Sequence, residues 1–316
     1  MRSRRALTVL LSLAAAVAAA WLCAAQAQEL EFLAPEQASS VLGARDQFVE
    51  RMSPFDRAAR LKTDRNVTEI EYLAFTVAAA LDWNEAEKKT VTTAFERLEP
   101  QLRALALPLP DRVALIKTTG REEGNTPYTR ANAIILPEKR KAEAGGLPRL
   151  LAHELFHIAS RANPRLAPAL YAAIGFHPCA EPAYPKELVP RKITNPDAPR
   201  NDYCIAVMLQ GMRVDVTPIL YSRTPIYDMA RGGEFFDYLE LGFLVVPVPE
   251  RARVVGLREL SGFAEQIGAN TDYVIHPEEI VADNFALLAT GETAVRSPEV
   301  LERIKRALAS SSSFTK

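Results

Sequence analysis

The sequence predicts an α+β fold, and three observations lead there. Helical signals fill the first third, strand-like runs cluster in the middle, and helical signals return at the end. Segregated runs of this kind, unlike strict strand–helix alternation, mark α+β architecture. Without its N-terminal leader the chain keeps just under 300 residues, enough for one substantial core or a core with a helical appendage.

The leader comes first. Arg2, Arg4 and Arg5 precede an apolar run from Ala6 to Ala25, and Ala25-Gln26-Ala27 is a small-x-small cleavage signature. Residues 1–27 therefore read as a secretory signal peptide cut before Gln28. A membrane anchor is the weaker alternative, because the run is rich in alanine, 9 of its 20 residues, and ends in the cleavage signature. The expectation is export, periplasmic or secreted, from a bacterial cell, with no stable membrane insertion afterwards. Removing three arginines and no acid takes the formal net charge from −1 to −4. No basic stripe remains to suggest a nucleic-acid partner.

Residues 28–110 read as a helical N-terminal region. Thr68 with Glu71 is a capping box opening Ile70 to Phe75, and Asn84 with Glu87 opens a helix through Val91, Phe95, Leu98 and Leu102. This region is also compatible with a pro-segment that covers a cleft until removed. Residues 111–316 then read as the main domain. Arg112 to Lys117 is strand-like, Gly120 to Pro127 is a polar turn, and Tyr128 to Leu136 reads as a second strand. A β-rich stretch of about residues 178–250 carries strand-like runs at Ile205–Leu209, Val214–Tyr221 and Tyr238–Val246. Helices are expected again at Leu257–Ile267, Pro277–Ala289 and Pro298–Ala309, with Ser310 to Ser313 as a frayed tail.

Two cysteines follow the leader, Cys179 and Cys204, and a proline-rich segment separates them. In an exported chain they read as a disulfide closing a long loop, in preference to two free thiols.

The most informative stretch is His153-Glu154-Leu155-Phe156-His157, an H-E-x-x-H. The chain has only 4 histidines, so an accidental match is rare. Pro148 suits a first helical turn, Leu151, Leu155, Phe156 and Ile158 make the segment apolar, and Asn163-Pro164 supplies the stop. On a helix His153 and His157 share a face, so both imidazoles can reach one metal ion. Glu154 falls beside that face, where a zinc site places its general base.

A catalytic zinc usually takes three protein ligands, and two candidates compete for the third. His177 lies twenty residues beyond His157, a comfortable spacing for a ligand on the next helix. Alternatively, Pro277 opens a helix on which Glu279 and Asp283 share a face. Glu279 would then bind the metal, while Asp283 accepts the N–H of a ligating imidazole and fixes its orientation.

At this point the chain resembles the gluzincin branch of zinc metallopeptidases, the thermolysin-like superfamily. There an H-E-x-x-H helix is paired with a later helix carrying E-x-x-x-D, matched here by Glu279 and Asp283. Arg130-Ala131-Asn132-Ala133-Ile134-Ile135 resembles the edge strand whose backbone pairs with an extended substrate, which implies a substrate-binding role for Asn132 and Ala133. The resemblance covers a minority of the chain, about residues 130–160 and 273–290.

It implies a zincin-like catalytic domain with a β-rich insertion between the two ligand helices. The cofactor implied is Zn2+, held by His153, His157 and Glu279, and the substrate a peptide or protein. A zinc-bound water would be activated by Glu154. Two departures stand out. More than a hundred residues separate His157 from Glu279, and no histidine follows Glu279 to stabilise the tetrahedral intermediate. Tyr273 is the first candidate for that role, ahead of His276, Tyr221 and Arg223. Two other functions stay open: a zinc-containing binding or scaffold protein, and a zinc hydrolase acting on a non-peptide amide such as a cell-wall component.

Overall fold

The computed structural model describes residues 28–139, 146–246 and 253–312, so the expected signal peptide lies outside the described residues. The first part of the chain runs β1 (Glu29–Phe32), α1 (Pro35–Leu42), α2 (Gln47–Arg51), α3 (Pro54–Arg60), α4 (Glu69–Val77), β2 (Ala80–Leu81) and α5 (Glu85–Ala104). Next come β3 (Arg112–Thr118), β4 (Tyr128–Arg130), β5 (Ala133–Pro137), α6 (Gly146–Ala162) and α7 (Leu166–Ala172). A β-rich stretch holds β6 (Phe176–Pro178), β7 (Tyr203–Leu209), β8 (Met212–Ser222), β9 (Leu239–Val246), β10 (Val254–Val255) and β11 (Leu260–Ser261). Helices α8 (Phe263–Ile267), α9 (Pro277–Ala289) and α10 (Pro298–Ser312) complete it. The architecture is mixed helix and sheet, compatible with the α+β class.

The first sheet has the order β1-β3-β5-β4, with β2 added beside β3. β1, β3 and β5 are parallel, while β4 runs antiparallel to β5 at the edge. Alternate residues of the central strands serve two cores, as the two-residue period of a strand requires. Val113, Leu115, Ile134 and Leu136 join the main core with α5 and α6, while Ala114, Ile116, Ala133 and Ile135 pack with Ala38 and Leu42 of α1. The second sheet is antiparallel, in the order β10-β9-β8-β7-β11, with β6 paired to β7.

Several expectations need correction. The first third is not all helical: β1 and β2 belong to the first sheet. Glu29-Leu30-Glu31-Phe32 alternates polar and apolar residues, but four residues are too short a run to stand out. Tyr128–Leu136 is a tight hairpin rather than one strand, reversing at Ala131-Asn132 with Ala131 at φ 50°. Leu257–Ile267 is not one helix: a 3-10 turn at Leu257–Glu259 leads into β11 before α8, and Ser310 to Ser312 continue α10, while Ser313 lies outside the described residues. The β-rich stretch extends from Phe176 to Ser261, wider than expected at both ends.

α6 and α9 form the centre of the main core. Apolar residues of α6, among them Leu151, Leu155, Phe156 and Ile158, lie in one cluster with Ile280, Val281, Phe285 and Ala286 of α9. The Phe156 and Phe285 rings stand 5.5 Å apart. α6 is therefore wedged between the first sheet and α9, which sets its polar face against the start of α9. The Cys179–Cys204 disulfide, with Cα atoms 5.8 Å apart, closes the loop between β6 and β7. The chain-entropy model puts such a closure at about 3 kcal/mol. Among the described residues no helix is long and apolar enough to cross a membrane.

Candidate metal centre

His153 and His157 sit one turn apart on α6, their ring centroids 4.7 Å apart. Glu279, in the first turn of α9, meets both: its Oε2 lies 3.2 Å from His153 Nε2 and 3.4 Å from His157 Nε2. Ligand atoms of these three residues all lie within 4.8 Å of one another, so the group can hold a metal ion. His177 does not join them. It is half-exposed on β6, 3.5 Å from Asp215 of β8.

Each histidine has its own carboxylate behind it. His153 donates through Nδ1 to Asp283 Oδ1 at 2.9 Å, and the Thr271 hydroxyl donates to the other Asp283 oxygen. His157 donates through Nδ1 to Glu278 Oε1 at 3.0 Å. The Ser160 hydroxyl, at 2.9 Å, and the Tyr171 hydroxyl both donate to Glu278 Oε2. Such partners fix the ring orientation and leave each Nε2 pointing inward. Glu279 is steadied in turn by Asn195, whose Nδ2 donates to Oε1 at 2.6 Å.

These contacts make a site that favours positive charge. Burial opposes charging His153, but the Asp283 and Glu279 carboxylates outweigh it and hold its pKa up at about 10. Burial opposes charging His157 as well, and Glu279 and Asp197 raise its pKa well above the usual imidazole value. Burial tends to raise Glu279, but the two histidines pull its pKa far below the usual carboxylate range. A metal dication satisfies the same carboxylates as a proton on each ring does. His157 Nε2 is buried and, among the described residues, makes no well-formed hydrogen bond, only the 3.4 Å approach to Glu279, as a ligand atom would. Two imidazoles and one carboxylate suit zinc in an open catalytic site. The residues fit the ion.

Glu154 is 5% exposed, and its Oε2 is buried with no hydrogen-bond partner among the described residues. Burial first, then the charge of Asp197, pushes its pKa up to about 8. A carboxylate so poised is matched to proton transfer near neutral pH. Tyr273 is close enough to the centre to feel its carboxylates. Its residue surface is 40% exposed, yet desolvation of the hydroxyl and the charges of Glu279, Asp197, Asp283 and Glu154 raise its pKa well above 10. The phenol therefore stays a proton donor beside the centre.

The other candidates lie elsewhere. His276 caps α9, accepting from the Glu278 N–H at Nδ1, while Nε2 bonds the Arg200 carbonyl. Arg223 pairs with Glu240 on the surface, and Tyr221 sits on β8 under Arg191. Asn132 and Ala133 are not on the free edge of the sheet. Ala133 is fully buried in β5, between β3 and β4, and Asn132 is exposed in the hairpin turn with its amide on the Arg112 carbonyl. The hairpin at 131–132 moves the edge to β4, whose residues are Tyr128, Thr129 and Arg130.

Three participants escaped the sequence reading. Glu278 is the neighbour of Glu279, and tandem acids in a first turn, about 100° apart, can serve different histidines; that signal was readable. Asn195 and Asp197 come from the proline-rich loop and carry no periodic signal. Asp197 Oδ1 accepts from the Thr129 N–H at 2.8 Å and from the Thr129 hydroxyl, with Arg161 Nη2 at 3.6 Å. Asp197 also forms a second group of potential ligand atoms with Glu154 and His157, again within 4.8 Å.

Comparison with protein-family models, with curated proteins and with solved structures finds no match.

Proposed function

We propose that the chain is an exported zinc-dependent metallopeptidase with a zincin-like catalytic domain. The observation that carries this reading is the convergence of His153, His157 and Glu279 beside a buried, unpaired Glu154. A purely structural site has no need of a base and closes its fourth position with a protein ligand.

His153, His157 and Glu279 would hold the ion, and Asp283 and Glu278 hold the two imidazoles in the ligating tautomer. A bound zinc would supply Lewis-acid polarisation of a carbonyl and would make a water a stronger acid, with a pKa toward about 7. Glu154 takes the proton of the attacking water and returns it to the leaving amine. Tyr273 donates to the oxygen on which charge develops. β4, as the sheet edge, offers backbone groups to an extended peptide.

Glu154→Gln tests the reading, because the amide is nearly isosteric yet cannot accept the proton. The variant should keep its metal and fold but lose at least about 10²-fold in peptide cleavage. Chelation by o-phenanthroline should silence the wild type, and added zinc should restore it. Equal cleavage by variant and wild type would sink the mechanism. One observation favours the binding-protein alternative: the centre is closed, with His157 only 1% exposed. That alternative takes first place if both proteins hold zinc and neither cleaves a diverse peptide library.

A further inference from the structure

We propose that the segment Thr194–Pro199 is an intramolecular occupant of the substrate groove, so that the conformation described here is a latent one. The proposal rests on the peptidase reading of the centre and adds a regulation to it.

An extended peptide joining the sheet at β4 needs the outward-facing backbone donors of that edge. The central one is the Thr129 N–H, and Asp197 Oδ1 already takes it at 2.8 Å, together with the Thr129 hydroxyl. The same carboxylate reaches inward. It stands within 4.8 Å of ligand atoms of Glu154 and His157, which is where a reacting carbonyl has to come. Two residues earlier, Asn195 bonds the third ligand, Glu279, at 2.6 Å. The segment thus holds the edge strand and the third ligand and stands beside the base. Glu154 and Glu279 are accordingly only 5% and 2% exposed.

What remains of a groove lies on either side. A cavity of about 420 Å³ borders Thr129, Arg130 and Ala131 at one end of β4. A smaller one of about 40 Å³ borders Thr126, Pro127 and Tyr128 at the other. Pro196 and Asp197 line both, so the segment is the partition between two halves of one path along the strand.

The attachment suits a strap that lifts. Pro196 and Pro199 bring no N–H, so the segment cannot add to β4 as a strand and reaches the groove through side chains. Its near end is fixed. The Thr194 N–H donates to Asp56 at 2.9 Å, its hydroxyl to the Arg51 carbonyl at 3.1 Å, and its carbonyl accepts from Arg60 at 3.4 Å. Beyond the far end, Cys204 is tied to Cys179. Breaking the Asn195 and Asp197 contacts frees the middle while both anchors stay.

The test uses zinc-loaded full-length protein without its leader, as wild type, Asp197→Ala and Asn195→Ala. The probes are a dipeptidyl hydroxamate, which carries a peptide backbone, and acetohydroxamate, which does not. Removing the occupant should tighten the dipeptidyl hydroxamate by at least about tenfold, the worth of one hydrogen bond to a charged group, and acetohydroxamate by less. Hydrogen exchange at the Thr129 amide should be slow in the wild type and fast in Asp197→Ala. Unchanged or weaker dipeptidyl binding in both variants overturns the proposal, and weaker binding in Asp197→Ala alone makes Asp197 a substrate-binding residue instead. Neither readout needs turnover, so tighter dipeptidyl hydroxamate binding in variants that still cleave no peptide would count against the peptidase reading and leave the latch standing.

Discussion

Two regions meet at the centre, and they are built in opposite ways. The α6–α9 pair is periodic: buried apolar faces lock two helices together, and the polar positions one turn apart on each carry His153, His157, Glu279 and Asp283. The loop from Cys179 to Cys204 runs from the end of β6 to the start of β7, and between them its regular structure is a short turn at Val189–Arg191 and a single bridge from Lys192 to Tyr221. It is held by a disulfide, prolines and a few long-range polar contacts. The helices set where ligand atoms converge, and the loop sets whether anything can reach them. Rigid donors and a separately anchored cover can therefore be changed one at a time.

The largest expected effect falls on the anchor of the cover. Arg60 is fully buried between Asp56, with which it pairs, and Glu123, to whose two oxygens it donates at 2.6 and 2.8 Å, and it also reaches the Thr194 carbonyl. Arg60→Ala leaves two carboxylates facing each other without water or cation, which should cost about 3–5 kcal/mol. Denaturant unfolding of the metal-free protein measures it. If the two regions are separable, the variant still binds one metal ion per chain below its transition. Loss of metal stoichiometry in folded variant would break the comparison.

The same contrast explains what was legible beforehand. The H-E-x-x-H of α6 and the Glu279/Asp283 pair of α9 could be read because a helix converts spacing into a shared face. Their long separation hid nothing, since packing of Phe156 on Phe285 closes it. Three of the six strands of the β-rich stretch, β7, β8 and β9, could be read from their runs, and Gln210-Gly211, both at positive φ, turns the β7–β8 hairpin. Asn195 and Asp197 could not be read. Their positions depend on contacts to Glu279 and Thr129, 84 and 68 residues away, and an irregular loop offers no period from which to infer them. Asn132 and Ala133 were misplaced for a local reason: the left-handed turn at Ala131 makes a hairpin of what reads as one strand.

Glu278 sharpens the comparison from the helix side. It is the acceptor for His157 as Asp283 is for His153, with Ser160 and Tyr171 donating to its second oxygen. In Glu278→Gln the amide NH₂ confronts hydroxyl donors or the imidazole N–H, so one bond is lost whichever way it turns. Metal affinity should fall by about 10–100-fold, the usual worth of such a partner. Competition against a chelator of known strength reads it directly. An affinity within about twofold of wild type would return Glu278 to a packing role.

The smallest effect concerns Glu122, beside the anchor residue Glu123. Both of its carboxylate oxygens are buried, and neither makes a well-formed hydrogen bond among the described residues. Burial raises its pKa above the ordinary 4.5, with the Thr118 hydroxyl and the Arg121 charge opposing it too weakly to cancel. The folded state therefore binds this proton more tightly than the unfolded chain. Stability from this group falls as pH rises from about 4.5 through the raised folded value, and below 4.5 both states are protonated and the difference vanishes. Glu122→Gln keeps the shape and removes the charge. It should stabilise the protein by about 1 kcal/mol at pH 8, or about 2–4 °C in Tm for a domain of this size. The gain should shrink toward pH 4.5. Thermal melts of both proteins across pH 4.5–8 decide it, and a gain that is flat with pH, or larger at the acid end, would mean that the Glu122 charge does not strain the ground on which the strap is anchored.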